Sequence, residues 1–309
     1  MAIHRVSNQF FEFRKGQKPE ISIDSGDEVL FSTKDAHNGT VPNAPVGNDV
    51  VFPDIDLKVA NPVTGPVFIK NAKPGNVLKV TVLEIKLSDK AYVVARPRWG
   101  TLWDLVTKNT ARIVGIKNDM ITFSEKLQFP TRPMIGAMGV IPESGIGYSA
   151  LPGTYGGNID HNDIRVGSTV YFPIFVEGAG FGLGDVHASM GDGELSSGAI
   201  DICAEVRVRL EVLEKKYDIM RPVIENEKEI ITTSNAPEFH ESKKIAVRQM
   251  ISLLRYGLDV SEVEAYLLIT LAGDLRIGQV CDNGERAFDN TLRLAFPKYS
   301  KHLKWRSLF

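Results

Sequence analysis

A chain of 309 residues with 43% hydrophobic and 24% charged side chains can bury one large core or two fused ones, and its mean hydropathy of −0.08 excludes disorder as the general state. No window reaches the roughly eighteen uninterrupted apolar residues of a membrane span. The formal charge of −2, with basic residues scattered rather than striped, excludes the footprint of a nucleic-acid binder and leaves a small molecule as the expected partner.

The N-terminus, "MAIHRVSNQFFEFRKGQKPE", lacks the apolar stretch and cleavage site of a secretory signal, which predicts the cytosol. Up to about residue 215 short β-type runs alternate with glycine and proline, as in "EISIDSGDEVLFSTKD" and "STVYFPIFVEGAGF". In "NVLKVTVLEI" the near-alternation of Leu78, Val80 and Val82 predicts a strand half-buried on one face. In "AIDICAEVRVRLEVLEK", Val206, Val208, Leu210 and Val212 alternate with Arg207, Arg209 and Glu211, and the phase changes near Ala204, the mark of a bulge. Cys203 and Cys281 lack C-x-x-C spacing and read as reduced thiols, Cys203 packed in a strand.

From about residue 238 the period becomes helical. Ala246, Met250, Ile251 and Leu254 predict a helix over about 240–256 with Gly257 as its stop, and Ser261 with Glu264 forms the capping box of a second. "LRIGQV" and "TLRLAFP" follow as strands. The predicted fold is mainly β: a β-sandwich or barrel-like body over 1–215, and a smaller C-terminal α+β unit with two helices over 216–309. A short internal echo, "PVFIKNAKPG" at 66–75 against "PIFVEGAGFG" at 173–182, is weak support for an old duplication.

Two of the six histidines share one local frame, "DAH" at 35–37 and "DVH" at 185–187. In extended backbone residues two apart share a face, so Asp35 with His37, and Asp185 with His187, would each pair a carboxylate with an imidazole. That donor set suits a divalent cation, zinc first and calcium second. Asp192 and Glu194 in "GDGE" add carboxylates whose mutual repulsion a cation would relieve. The competing interpretation is a solvated Gly–Asp turn beside a hydrogen-bonded strand histidine. The loop "YGGNIDHND" at 155–163 offers Gly156 and Gly157 as backbone donors to an oxyanion, next to Asn158, and Asp160 or His161 as ligand or base. Glu143, in "GVIPESG", is a loop carboxylate free to act as a general base. Serine-elbow, zincin-helix and phosphate-loop motifs are missing from the sequence.

The runs "NPVTGPVFIKNAKPGNVL", "LPGTYGGNID", "FVEGAGFGLGDVHASMGDGE" and "ISLLRYGLDVSEVEAYLLITLAGDLRIGQVCD" resemble signature segments of the acetamidase/formamidase family, over nearly the whole chain and with the length of its shorter, acetamidase-like branch. The resemblance implies a mainly β homo-oligomer that hydrolyses formamide or acetamide to carboxylate and ammonia. It carries family positions onto Asp185, His187, Asp192 and Glu194, and onto Gly156 to Asp160. Lys70, Asn71 and Asn76 depart from the usual acidic or small residues of one turn. Joined to the residue chemistry, it implies a metal held by His37, Asp185 and His187 with Asp35 nearby, Glu143 or Glu194 moving the proton, and Gly156 and Gly157 steadying the oxyanion. Alternatives of the same sequence are a metal-dependent hydrolase of another C–N bond, such as a cyclic amide or an N-formyl metabolite, and a non-catalytic calcium-binding β module.

Overall fold

Two large facing β-sheets, a pair of helices on one of them and a small two-stranded sheet form the frame of the computed structural model, which describes residues 1–54, 56–214, 216–281, 289–298 and 307–308. The parts of the C-terminal unit at 282–288, 299–306 and 309 lie outside the described residues. Among the described residues the first sheet has nine strands, and in it Ala204–Leu213 pairs with Glu28–Thr33 on one side and Val77–Leu87 on the other. The predicted alternation is what places it there. Val206, Val208 and Leu210 are fully buried, while Arg207 and Arg209 reach across the wet face to Glu28 at 3.0 and 2.7 Å.

The second sheet runs, among its described strands, from Leu127–Pro130 through Lys90–Ala95, Ile200–Asp201, Phe181–His187 and Met134–Gly139 to Gly156–Asn158. Between the sheets lies a core in which Phe31, Phe172 and Phe181 meet edge to face, with ring centroids 5.8 and 5.9 Å apart. Each such buried side chain contributes about 1.5–3 kcal/mol of burial. The phase change near Ala204 is a sheet switch rather than a bulge: Ile200–Asp201 belongs to the second sheet and Ala204–Leu213 to the first, and Cys203 lies in the link between them. The echoed segments lie against each other, Gly178 N donating to Ala72 O and Gly75 N to Ile174 O.

The C-terminal strands join the nine-stranded sheet through Thr169–Pro173 and Val223–Glu225. Helix α1 (Phe239–Leu258) runs past the predicted stop to Asp259, which takes the left-handed C-cap conformation, and α2 (Glu262–Ala272) opens with the predicted Ser261–Glu264 capping box. Met250, Leu253 and Leu254 of α1 and Ile269 of α2 pack on Ile230, Leu294 and Phe296 of the sheet. Among the described residues no helix is long and apolar enough to cross a membrane.

Candidate active site

Sheet register assembles the site. Phe181–His187 pairs with Met134–Gly139, and across these strands and their neighbours Met134, His187, Asp201 and Tyr92 lie in one row. His187 Nε2 is therefore 3.4 Å from Asp201 Oδ1, and 3.3 Å from Asp185 Oδ1 on its own strand. The other oxygen of Asp185 accepts from Asn61 Nδ2 at 2.9 Å, and Asn61 also donates to Asn158 Oδ1. Asp160, fully buried, brings a carboxylate with neither oxygen hydrogen-bonded. Asp160, Asp185 and His187 each offer a ligand atom, and these atoms lie within 4.8 Å of one another.

The backbone is strained where these groups sit. Asn61, Asp160, Asp185 and Glu194 have φ of 49°, 44°, 52° and 47°, a left-handed conformation costing on the order of 1 kcal/mol for an L-residue. Asp and Asn tolerate it better than most; Glu has no such excuse. These are four of the twelve described non-glycine residues with positive φ, and they are the four that bring polar side chains to this cluster.

Burial, and then repulsion from Glu194 and Asp185, pushes the Asp160 carboxyl well above the usual carboxylate range; burial does the same to Asp201 despite the attraction of His187. Burial raises Glu194 to about 7, with Asp185 adding to the rise and His187 and Arg96 opposing it. Burial alone would lower His187, but Asp185, Asp201 and Asp160 raise it to about 10. Four enclosed carboxylates outnumber the one imidazolium and the Arg96 guanidinium that face them. The oxygens of Asp160 and the Nδ1 of His187, unpartnered among the described residues, add donor atoms to the cluster. Oxygen and imidazole donors, a surplus of negative charge and orphaned buried atoms together fit a divalent cation.

The cluster faces a cavity of about 60 Å³ whose wall includes His37, Arg96, Asn158, Glu194, Gln279 and Cys281. At about 10–15 Å³ per water-sized space, that is room for roughly four to six waters. The C-terminal segment closes one side: Gln279 Nε2 donates to Asn158 O at 3.0 Å, and Gly193 N donates to Gly278 O at 2.8 Å.

The model of the acetamidase/formamidase family matches residues 13–150 and 146–291. The chain belongs to that family. Among solved structures, a protein described as a predicted acetamidase/formamidase from Thermoanaerobacter tengcongensis superposes with a TM-score of 0.90 at 33% identity over 97% of each chain. The acetamidase of Bacillus halodurans gives 0.89 at 31% identity, over 97% of this chain and 99% of that one. The formamidase of Methylophilus methylotrophus is 25% identical over 263 residues, 66% of this chain and 64% of its own length, so this chain spans less than two thirds of that relative.

Placed on this family member, the sequence expectations divide. Asp185 and His187 come together as expected, joined by Asp160 and Glu194, although Asp185 does so from left-handed rather than extended backbone. Asp35 and His37 do not form a second such pair. They lie in a turn in which Asp35 Oδ1 accepts from the backbone N–H of His37 at 3.0 Å and both its oxygens accept from Gly39 N–H, the local use to which short acids are put in turns. His37 reaches the cavity, but its Nε2 faces the Arg96 guanidinium. Asp192 and Glu194 diverge. Asp192 points outward, both oxygens 2.9 Å from Arg293 Nη2, while Glu194 lines the cavity. Glu143 is exposed on its loop and off the cavity wall, too far out in solvent for the proton role expected of it. Gly156 and Gly157 are also off the wall. They allow strands to approach, since a Cβ would stand 2.2 Å from Met138 O and 2.0 Å from Leu151 O respectively. Asn158 does line the cavity, and His161 is buried behind it and held neutral by burial and the nearby Arg293.

Sequence reasoning missed Asp201, Asn61, Arg96 and Gly136. For Asp201 a signal existed, a lone acid inside the apolar run "AIDICA". Gly136 lies beneath the carboxylates: a Cβ there would come within 2.6 Å of Asp160 Oδ1 and 2.8 Å of Asp185 Oδ2. Gly136→Ala is therefore expected to displace both acids and lower kcat/KM for a turned-over amide by about 100-fold, the scale of an ångström-sized misplacement. Steady-state kinetics with a parallel melt check this; unchanged kinetics in a folded variant would show that the two carboxylates tolerate movement.

Proposed function

We propose that this protein is a metal-dependent amidase that hydrolyses short linear amides, formamide and acetamide, to the carboxylate and ammonia. The observation that supports it most is the buried Asp160–Asp185–His187 group, whose Asp185 and His187 line, with Glu194, a cavity of about 60 Å³. The names of the structural relatives point the same way. That space takes an amide of a few heavy atoms more readily than the ring of a cyclic amide, and an imidazole donor suits zinc better than calcium.

Asp160, Asp185 and His187 would hold the cation, with Asp201 beside the same His187 nitrogen that faces Asp185. When bound, a divalent ion supplies Lewis acidity toward the carbonyl and makes water more acidic. Glu194 faces the cavity, takes a proton from the attacking water and delivers it to the departing nitrogen. Asn61 keeps Asp185 and Asn158 in place, and the strained backbone at the acids holds them close before any ligand arrives.

Metal content and ammonia release are measured together on the protein as isolated, after chelation, and after zinc or calcium is restored. Activity on formamide and acetamide should disappear with the metal and return with zinc. Ammonia release that survives complete metal removal would remove the cation from the mechanism. A metal-replete protein inert toward both amides would overturn the substrate assignment.

A further inference from the structure

Arg96 is the one Arg or Lys among the described residues lining the cavity. It is held from behind by a chain of hydrogen bonds with a fixed direction. Tyr92 donates its hydroxyl proton to Asp35 Oδ1 at 2.5 Å, so the Tyr92 oxygen accepts from His37 Nδ1 at 2.9 Å. The proton of His37 is then on Nδ1, and Nε2 is left as an acceptor for Arg96 Nη2. The guanidinium carbon also lies over the Trp99 ring, 4.9 Å from its centroid, with the Phe52 centroid at 5.8 Å. Its Nε is buried with no hydrogen-bond partner among the described residues.

This arrangement exceeds what charge balance requires. Arg96 acts on Glu194 and Asp201 through its charge, yet its direct hydrogen-bond partner is a neutral imidazole, and two aromatic rings flank its guanidinium. A guanidinium so held is a planar donor to an oxygen, on a cavity wall shared with Glu194, Asp185 and His187.

We propose that Arg96 anchors the carbonyl oxygen of the substrate amide and, once the C–N bond has broken, the carboxylate of the product. The inference rests on the amidase reading above. The oxygen of water bonds to the amide carbon as the C=O electron pair moves onto the oxygen facing Arg96. That pair returns as the C–N bond breaks, and nitrogen leaves as ammonia with the proton that Glu194 took from water. The remaining acid proton passes to ammonia, leaving a carboxylate beside Arg96, which stays charged throughout. Asp35, Tyr92 and His37 are positioning residues in this scheme.

The test uses acetate as the probe. Its binding to metal-loaded protein is measured by calorimetry and as competitive inhibition, for the parent, Arg96→Met and Arg96→Lys, beside kcat/KM, metal content and melting temperature. Arg96→Met should keep its metal, bind acetate at least about tenfold more weakly, and lose about 10²–10³-fold in kcat/KM, as expected for removal of one oxyanion donor. Arg96→Lys keeps the charge without the fork and should lose acetate affinity by about threefold or more. If both variants retain metal and bind acetate within about twofold of the parent, the anchor is overturned. Should the parent release no ammonia from either amide yet bind acetate in an Arg96-dependent way, the amidase reading fails and takes the amide-carbonyl role with it, while Arg96 stands as a carboxylate anchor. Should Arg96→Met hydrolyse amides and bind acetate like the parent, the anchor fails and the amidase reading stands.

Discussion

Asp160→Asn is expected to cut turnover of acetamide by about 10³-fold while making the metal-free protein more stable, by roughly 1–3 kcal/mol. The two effects share one cause. Asp160 is fully buried, neither of its oxygens is hydrogen-bonded, and burial together with Glu194 and Asp185 disfavours its charge. Without a cation, the neutral amide removes an uncompensated buried carboxylate and brings an N–H₂ group that can donate to Asp185. With a cation, the order reverses. The parent gains RT ln(1 + [L]/Kd), about 4 kcal/mol at a thousandfold excess over Kd, and the variant, short of one oxygen donor, gains far less. Melts in chelator and in excess zinc measure both signs, with a difference of a few degrees expected in each direction. A variant less stable than the parent in chelator as well would show that Asp160 has a structural role, and the cation site would have to be drawn without it.

The elements that local pattern controls were legible in the sequence. Alternation located Val77–Leu87 and Ala204–Leu213, and the capping box located the start of α2. The D-V-H pair at 185–187 was legible because both groups lie on one strand. Its twin at 35–37 was not, because Asp35 closes a turn on its own backbone, and a short acid does so whatever lies two residues on. The row of His187, Asp201 and Tyr92 is a fact of register between strands distant in sequence. No local window contains it, which is why Asp201 was passed over despite its apolar surroundings.

A second gap concerns glycine. Gly156 and Gly157 suggested donors to an oxyanion, whereas the close approach of neighbouring strands is what excludes a side chain there. Gly136 suggested nothing, and yet it makes room for two carboxylates. A glycine announces that something comes close; only the fold says what. The same applies to "GDGE", where Gly193 bridges to Gln279 and turns Asp192 and Glu194 to opposite sides of the loop.

Arg293 carries the other large effect, since it ties both acid-bearing loops to the C-terminal strand Asn290–Pro297. Its side chain is 4% exposed; Nε lies 2.5 Å from Asp163 Oδ2 and Nη2 2.9 Å from both oxygens of Asp192, with Ile277 O accepting from Nη1. Asp163 follows Asp160 by three residues, and Asp192 precedes Glu194 by two. Arg293→Met leaves the buried Asp163 without its close partner and should cost about 3–5 kcal/mol in urea unfolding. Asp192→Asn, at a side chain 45% exposed, should cost under about 1 kcal/mol, because water replaces the lost partner. If the guanidinium positions Glu194 through Asp192, Asp192→Asn will nevertheless lower kcat at saturating metal by about tenfold or more, a loss its small change in stability cannot explain. A kcat equal to the parent's would confine Arg293 to holding the fold together and leave Gly193 and its bridge to Gln279 as what sets the Glu194 carboxylate against the cavity.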